Sequence, residues 1–417
     1  MSKRKFKKII QTIFSVRNEN SWKKVTILGV SFKFNINRYK NKKAIKRIKI
    51  VPNKIVFCNY FGKSYGCNPK YITEEIIKQN LPYELVWLVK DAKNKVNEFP
   101  KEVKVVPYLT KEAYQELASA KVWVNNSRWF GYWFDGLYKK PEQYYIQTWH
   151  GALGMKKIEA SIKDENPIWR KWAKVDSKNI DCLLASNITD EKILSECFWY
   201  DGEIFRSGYP RNDIFFLPKE EKQFIKEKVY KDLGISLDKK IVLYLPTFRD
   251  DHRTSNFNLD ILSVLETVNK KFNEDYIAAI RLHPSTKKHV GKLFDFGNEN
   301  IVDAISYPDI QELLVASDII ITDYSSGILD AMLEYKKCFI FATDLELYQK
   351  ERGFYFPLSD TPFSVAENNE ELIENIKIFD ESEYLNKVER YLKEKEYLLD
   401  GKATKRVVNR IKQVIEG

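Results

Sequence analysis

The run Asp318-Ile319-Ile320-Ile321-Thr322-Asp323 constrains the fold of this chain more than any other stretch. Three isoleucines and a threonine stand in succession between two aspartates, with none of the polar alternation of a strand that has one wet face. Such a strand needs cover on both sides, as strands of a parallel sheet have when helices pack above and below them. The pattern recurs. Lys54-Ile55-Val56-Phe57-Cys58, Glu84-Leu85-Val86-Trp87-Leu88-Val89, Val103-Lys104-Val105-Val106, Lys121-Val122-Trp123-Val124, Tyr144-Tyr145-Ile146 and Cys182-Leu183-Leu184-Ala185 form a first series. Lys240-Ile241-Val242-Leu243-Tyr244-Leu245, residues 276–282, Ile301-Val302 and Phe339-Ile340-Phe341-Ala342 join residues 318–323 in a second. Helical stretches separate them, at about 73 onward, 111–120, 189–197, 219–233 with Gly234 as C-cap, 259–270 and 309–316. Repeated βα units predict an α/β protein with parallel sheets.

The two series meet near residues 212–220, after Gly208-Tyr209-Pro210-Arg211-Asn212-Asp213. We therefore expect a first domain over 51–215 and a second over 216–417 that includes the charge-rich terminal helices. Residues 1–50 stand apart. They carry 16 Lys or Arg against the single acid Glu19, which exceeds the net charge of +11 of the whole chain. Phe6, Ile9, Ile10, Ile13 and Phe14 fall at helical spacing among Lys5, Lys7, Lys8 and Arg17, so a cationic amphipathic helix on an anionic leaflet is the expectation there. Residues 25–36 alternate in parts and read as one or two strands. No apolar run reaches the length of a membrane span, and the N-terminus lacks a signal-peptide core. The five cysteines are odd in number and show no CxxC pair, which suits a reducing compartment. The expected location is the cytoplasmic face of a membrane, held peripherally.

Several chemistry-bearing residues fall just after strands, where α/β proteins meet their ligands. His150, in Gln147-Thr148-Trp149-His150-Gly151, is one of four histidines and has an ordinary pKa suited to moving a proton near neutrality. Arg128, Lys156 and Lys157 are candidates to hold an anionic acceptor beside it. In Asp323-Tyr324-Ser325-Ser326-Gly327, two hydroxyls and a helix start offer a seat for phosphate oxygens, and Asp330 follows one turn later, where it could accept from a ribose. His283, held extended by Pro284, and Arg249, after Leu245-Pro246-Thr247-Phe248, are candidates for a diphosphate. His252 and His289 read as surface residues. There is no HExxH, no cysteine cluster, no Asp-x-Asp pair and no GxGxxG, so neither a metal nor a tightly bound cofactor is specified. Zinc-finger and helix-turn-helix patterns are absent too, and no specific nucleic-acid partner is expected.

Taken in order, Thr148-Trp149-His150-Gly151 with Lys156, Gly208 to Asp213, Pro246-Thr247-Phe248-Arg249, His283-Pro284, and Asp323-Tyr324-Ser325-Ser326 with Asp330 resemble the CDP-glycerol glycerophosphotransferase family of teichoic-acid and capsule synthesis. Asp344-Leu345-Glu346-Leu347-Tyr348 and Arg352-Gly353-Phe354-Tyr355 add to the likeness, which covers roughly residues 54–380. The resemblance implies a GT-B architecture, two Rossmann-like domains facing across a cleft, and peripheral attachment to a membrane. It implies CDP-glycerol, or CDP-ribitol, as donor and a polyol-phosphate or lipid-linked saccharide as acceptor. His150 is similar to the family's proposed base and His283 to its donor-phosphate histidine, with Arg249, Ser325 and Ser326 around the pyrophosphate. Oligomeric state and any need for a divalent cation stay open at this point.

Overall fold

The computed structural model describes residues 14–19, 22–28, 30–163, 166–247, 249, 257–282 and 293–417. Two parallel sheets dominate it. The first contains β4 (Val51–Cys58), β5 (Glu84–Val89), β6 (Val103–Pro107), β7 (Ala120–Asn125), β8 (Tyr144–Gln147), β9 (Cys182–Ala185) and β10 (Glu203–Arg206), in the order β10-β9-β8-β7-β4-β5-β6. The second contains β11 (Lys240–Tyr244), β12 (Tyr276–Ile280), β13 (Ile301–Asp303), β14 (Ile319–Thr322), β15 (Lys337–Phe341) and β16 (Ser364–Ala366), in the order β13-β12-β11-β14-β15-β16. The unbroken apolar runs behave as their composition demands. Ile55, Val56 and Phe57 in one sheet, and Ile319, Ile320 and Ile321 in the other, are fully buried, with alternate residues entering cores on opposite faces.

Both sheets reverse their strand order at the centre, and this positions the site. In the first sheet the chain runs outward from β4 through β5 to β6, then returns to place β7 on the other side of β4. In the second, β12 and β13 lie on one side of β11 while β14 and β15 lie on the other. The loops after β4 and β7, and after β11 and β14, therefore diverge and open crevices at the C-terminal sheet edges.

The helices that matter below are α1 (Ile36–Arg47), α2 (Cys67–Lys78), α3 (Lys111–Ser119), α4 (Pro167–Ser177), α5 (Ile188–Cys197), α6 (Lys219–Leu233), α7 (Ile261–Phe272), α8 (Ile310–Ala316), α9 (Gly327–Ala331), α10 (Leu345–Glu351), α11 (Asn369–Lys377), α12 (Glu381–Glu394) and α13 (Ala403–Glu416). Gly234 closes α6 in the left-handed conformation, φ 68°, which only a residue without a Cβ adopts at no cost.

Two expectations need correction. The terminal helices do not all join the second domain: α13 crosses back and packs on α2 of the first, burying Val407, Val408 and Ile411. Lys412 Nζ donates to Gln79 Oε1 (2.7 Å) and Arg410 Nη1 to Tyr144 OH (3.2 Å). The carboxylate of Asp213 accepts from Ala403 N (3.0 Å) and Thr404 N (2.8 Å), so it caps α13 from 190 residues away. The second correction concerns the N-terminus. Phe14 and Arg17, read as part of a helix, lie in a strand, β1 (Phe14–Glu19), which pairs antiparallel with β2 (Trp22–Ile27), itself paired with β3 (Val30–Asn35). The remainder of the expected helix, residues 1–13, lies outside the described residues.

Eight of the nine tryptophans lie in the first domain and the ninth, Trp22, in β2, so tryptophan fluorescence reads these parts and not the second domain. Replacing Ile411, from the far end of the chain, with Ala removes a fully buried side chain from the α13–α2 contact. We expect a loss of about 2–4 kcal/mol, seen as a lower urea midpoint in tryptophan emission. An unchanged tryptophan transition, with the loss confined to far-UV ellipticity, would place α13 with the second domain after all.

Candidate functional site

The site begins with an unusual backbone turn. Trp149, the residue after the loop-forming Thr148, has φ 51°, a left-handed conformation that costs a bulky residue about 1–3 kcal/mol. Its surroundings hold it there. Trp149 N donates to Gln147 Oε1 (3.0 Å), and its carbonyl accepts from Asn68 Nδ2 (3.0 Å) at the start of α2. The indole packs edge-on against Phe198, at 5.1 Å between ring centroids. The left-handed turn takes the chain out of the strand direction of β8, so that His150 leaves the sheet edge.

Among the described residues, one hydrogen bond orients the imidazole. Its Nδ1 lies 2.7 Å from the carbonyl oxygen of Asn126, just past β7. A carbonyl can only accept, so Nδ1 carries the proton and Nε2 keeps its lone pair. Asn126 is itself fixed: its Oδ1 accepts from Tyr60 N (2.8 Å) and its Nδ2 donates to Asn59 Oδ1 (2.6 Å). Tyr60 then lays its ring edge against His150, at 5.3 Å between centroids. Burial, reinforced by the nearby charges of Arg211 and Lys156 and opposed by the Asn126 bond, lowers the pKa of His150 to about 4. At neutral pH the ring is uncharged and able to accept a proton.

Arg211 joins this loop to the second domain. Its Nη1 donates to the carbonyl of His150 (2.5 Å) and approaches Cys67 Sγ (3.7 Å), while its Nη2 forms a charge-assisted bond with Asp330 on α9. Its backbone N donates to Asn68 Oδ1 (3.0 Å). Asn212 Nδ2 completes the carboxylate with a 3.0 Å bond to Asp330 Oδ1, and Gln311 Nε2 on α8 donates to Asn212 Oδ1 (3.0 Å). A few residues away, Gly151 comes so close to Ser326 that a Cβ on it would stand 2.5 Å from Ser326 Oγ. A larger residue here would push the Ser326 hydroxyl out of its observed position, so the histidine loop of one domain lies directly against the serine pair of the other. Lys157 adds a further link, donating its N–H to the carbonyl of Gly353 (2.9 Å) and accepting from Arg352 Nε (3.0 Å).

The structure thus brings His150, Lys156, Ser325 and Ser326 to one interdomain locus, and gives three expected site residues other work. Arg128 is buried inside the first domain, bonded to Glu159 (3.1 Å) and Asp176 (3.2 Å) and lying over Phe198, so its charge is satisfied by partners within that domain. Arg249 is gripped through Nε and Nη2 by both oxygens of Asp344 (2.9 Å each), and through Nη1 by Asp323 (2.8 Å). Its guanidinium ties together the ends of β11, β14 and β15 rather than presenting a fork to a diphosphate. Asp330, proposed for a ribose, has both oxygens occupied by Arg211 and Asn212, because the helical turn after Ser326 points it inward. The helix behind the serines ends at Ala331 and gives way to a 3-10 turn over Met332–Glu334. His283 lies outside the described residues. Arg281, two residues earlier, donates to the carbonyls of Ala304 (2.9 Å) and Tyr307 (2.6 Å) at the same edge.

Asn126, Tyr60, Asn68 and Arg211 received no role from the sequence. Arg211 had a signal, its place in the Gly208 to Asp213 stretch; the others had only their positions after β4 and β7 or at the start of α2. Among the described residues, no group of three or more His, Cys, Asp or Glu is arranged to hold a metal ion.

A family model described as CDP-Glycerol:Poly(glycerophosphate) glycerophosphotransferase matches residues 41–413. The chain is 31% identical over 361 residues to the teichoic acid poly(glycerol phosphate) polymerase of Staphylococcus epidermidis, a match covering 83% of this chain and 48% of that protein. This chain therefore spans about half the length of that relative. It is 30% identical over 384 residues to the teichoic acid glycerol-phosphate transferase of Staphylococcus aureus, covering 88% and 95% of the two chains. The solved structure of the wall teichoic acid polymerase TagF superposes with a TM-score of 0.78 at 29% identity, over 91% of this chain and 93% of that one. Two Rossmann-like domains in a GT-B arrangement are the fold of both.

Asp330→Ala distinguishes the observed role of this carboxylate from a ribose contact. Removing it leaves the Arg211 charge buried without its partner, and we expect a loss of about 3–5 kcal/mol in denaturant unfolding. A change within about 0.5 kcal/mol, typical of an exposed side chain, would return Asp330 to the ligand-binding face.

Proposed function

This chain belongs to the CDP-glycerol:poly(glycerophosphate) glycerophosphotransferase family, and from that premise we propose that it transfers glycerol phosphate from CDP-glycerol to a hydroxyl of a teichoic-acid-like or capsular acceptor. The acceptor oxygen attacks the β-phosphorus, the bond from that phosphorus to the bridging oxygen breaks, and CMP departs. The new linkage is a phosphodiester. The observation that carries this reading is the fixed tautomer of His150, with Nδ1 bonded to Asn126 O and Nε2 left as the acceptor, in a loop that touches Ser326.

In this mechanism Nε2 takes the proton of the attacking hydroxyl. A base with a pKa near 4 is weak by itself. A bound diphosphate sets negative charge against the Arg211 and Lys156 charges that depress it, so the donor raises the basicity of the imidazole as it arrives. Ser325 and Ser326 stand on the donor side, with His283 as a further phosphate contact, and Lys156 offers positive charge close to the base. Positioning and charge stabilisation do most of the work in phosphoryl transfer, which suits a site built from the loops of two domains. The chain acts at the cytoplasmic face of the membrane in this reading, where the excess positive charge of residues 1–50 favours an anionic surface.

The test is a donor panel, CDP-glycerol against CDP-ribitol, assayed for CMP with an oligomeric polyol-phosphate acceptor. We expect CMP with CDP-glycerol, with phosphorus retained in the product. Preference for CDP-ribitol would change the polyol, and release of a nucleoside diphosphate would replace the reaction with glycosyl transfer. His150→Ala should lower turnover about 10²–10⁴-fold while donor affinity changes little. Near-normal turnover by that variant would remove His150 from the role of base.

A further inference from the structure

The three-stranded sheet β1-β2-β3 has one face whose described apolar side chains are exposed. Its register pairs Val16 with Val25 and Val25 with Phe32, and Ile27 with Val30. Side chains two apart on a strand share a face, so Val16, Val25, Ile27, Val30 and Phe32 stand together. Thr26 and Ser31 stand on the opposite face, with their hydroxyls 2.9 Å apart. The apolar face is exposed: Val16 by 43%, Ile27 by 45%, Val30 by 57% and Phe32 by 48%, with Leu28 at the hairpin tip 76% exposed.

Strands of six residues are about 20 Å long, and three of them side by side make an open face of a few hundred Å². The largest apolar patch of a soluble protein is typically of this size and often functional, so this face is a candidate contact surface. The charge of the segment decides between the candidates. Lys23 on β2, and Lys42, Lys43, Lys46 and Arg47 on α1, are all exposed. Two copies meeting face to face would bring together two segments that each carry 16 basic residues against one acid, a strong repulsion across an apolar seam. A nucleic acid would satisfy the charge and leave the apolar side chains in water. An anionic bilayer satisfies both, with apolar side chains below the headgroups and lysines among the lipid phosphates.

We propose that the Val16/Val25/Ile27/Val30/Phe32 face, with Leu28 at its tip, docks on an anionic lipid bilayer. This rests on the peripheral placement proposed above and gives it a surface: a β-sheet rather than an amphipathic helix makes the contact. The sheet is tied to the first domain through α1, whose Ile45 is buried and whose following residue, Ile48, accepts from Lys140 Nζ through its carbonyl. The attachment point therefore moves with that domain.

The experiment is co-sedimentation of the full chain with vesicles of phosphatidylcholine alone and of equal parts phosphatidylcholine and phosphatidylglycerol. Vesicle binding does not depend on transfer, so its failure is separable from failure of the proposed reaction. The combined variant Ile27→Ser, Leu28→Ser, Val30→Ser, Phe32→Ser changes only exposed side chains, and an unaltered melting temperature establishes that it folds. We expect the wild type to bind the phosphatidylglycerol vesicles preferentially, and the variant to bind them at least about tenfold more weakly, given the apolar area removed. Lys23→Glu with Lys42→Glu and Lys43→Glu should weaken the preference for the anionic vesicles. Undiminished binding by the serine variant would overturn the proposal. So would loss of binding on deletion of residues 1–13 alone, or a wild-type dimer in light scattering that the serine variant converts to monomer.

Discussion

The ion pair between Arg211 and Asp330 organises this molecule, because every part of the site is referred to it. One nitrogen of the guanidinium holds the Asp330 carboxylate in the second domain, and another holds the carbonyl of His150 in the first. Both residues are buried, so the pair is little screened by solvent and tolerates only the geometry that satisfies both charges. The separation between the histidine loop and the serine pair is thereby set by a stiff connection. Gly151 against Ser326 shows how close that separation is. A second cluster, Lys70 with Asp309 (2.6 Å) and Glu312 (3.3 Å), and Tyr71 OH donating to Asp309 (3.1 Å), holds the same two domains together farther along α2.

Around that pair the backbone carries conformations that ordinary residues avoid. Tyr60, Phe61, Cys67 and Trp149 all have positive φ, between 41° and 57°, and Tyr60 and Trp149 both contact the imidazole of His150. Local strain of this sort persists only where the surroundings over-determine it, here through Asn126, Gln147, Ser127 and Asn68. The outcome is an imidazole with one nitrogen committed to a carbonyl and the other available. No reorganisation of the ring is then needed at the moment of proton transfer, which is what preorganisation means for a base.

Much of this was legible in the sequence, for local reasons. Unbroken apolar runs have one physical solution in a soluble domain, burial on both faces, and so the two sheets and the placement of His150 and Ser326 after strands could be read directly, while the short, half-exposed edge strands β10 and β16 were not. What could not be read were partners distant in sequence. Arg249 looks like a free cation until Asp344 arrives 95 residues later, and Asp330 looks exposed until Arg211, 119 residues earlier, is folded against it. The return of α13 to the first domain is of the same kind, since an amphipathic helix does not say which surface it will cover. At Phe14 to Glu19 the neighbouring β2 supplies backbone partners that a lone helix lacks, and strand pairing prevails there.

The account stands on the state of one ring, and nitrogen NMR of the protein labelled at histidine reads that state. Four histidines give few signals, and His150→Asn assigns the one that matters. Burial and the neighbouring cations penalise the imidazolium, so the ring should stay neutral as pH falls past the ordinary histidine value and protonate only near its lowered pKa of about 4. The predicted spectrum is that of a neutral imidazole protonated at Nδ1 from neutrality down to about pH 5. Titration near pH 6.5, or a proton resident on Nε2 at neutral pH, would contradict the claim that His150 is a preoriented base.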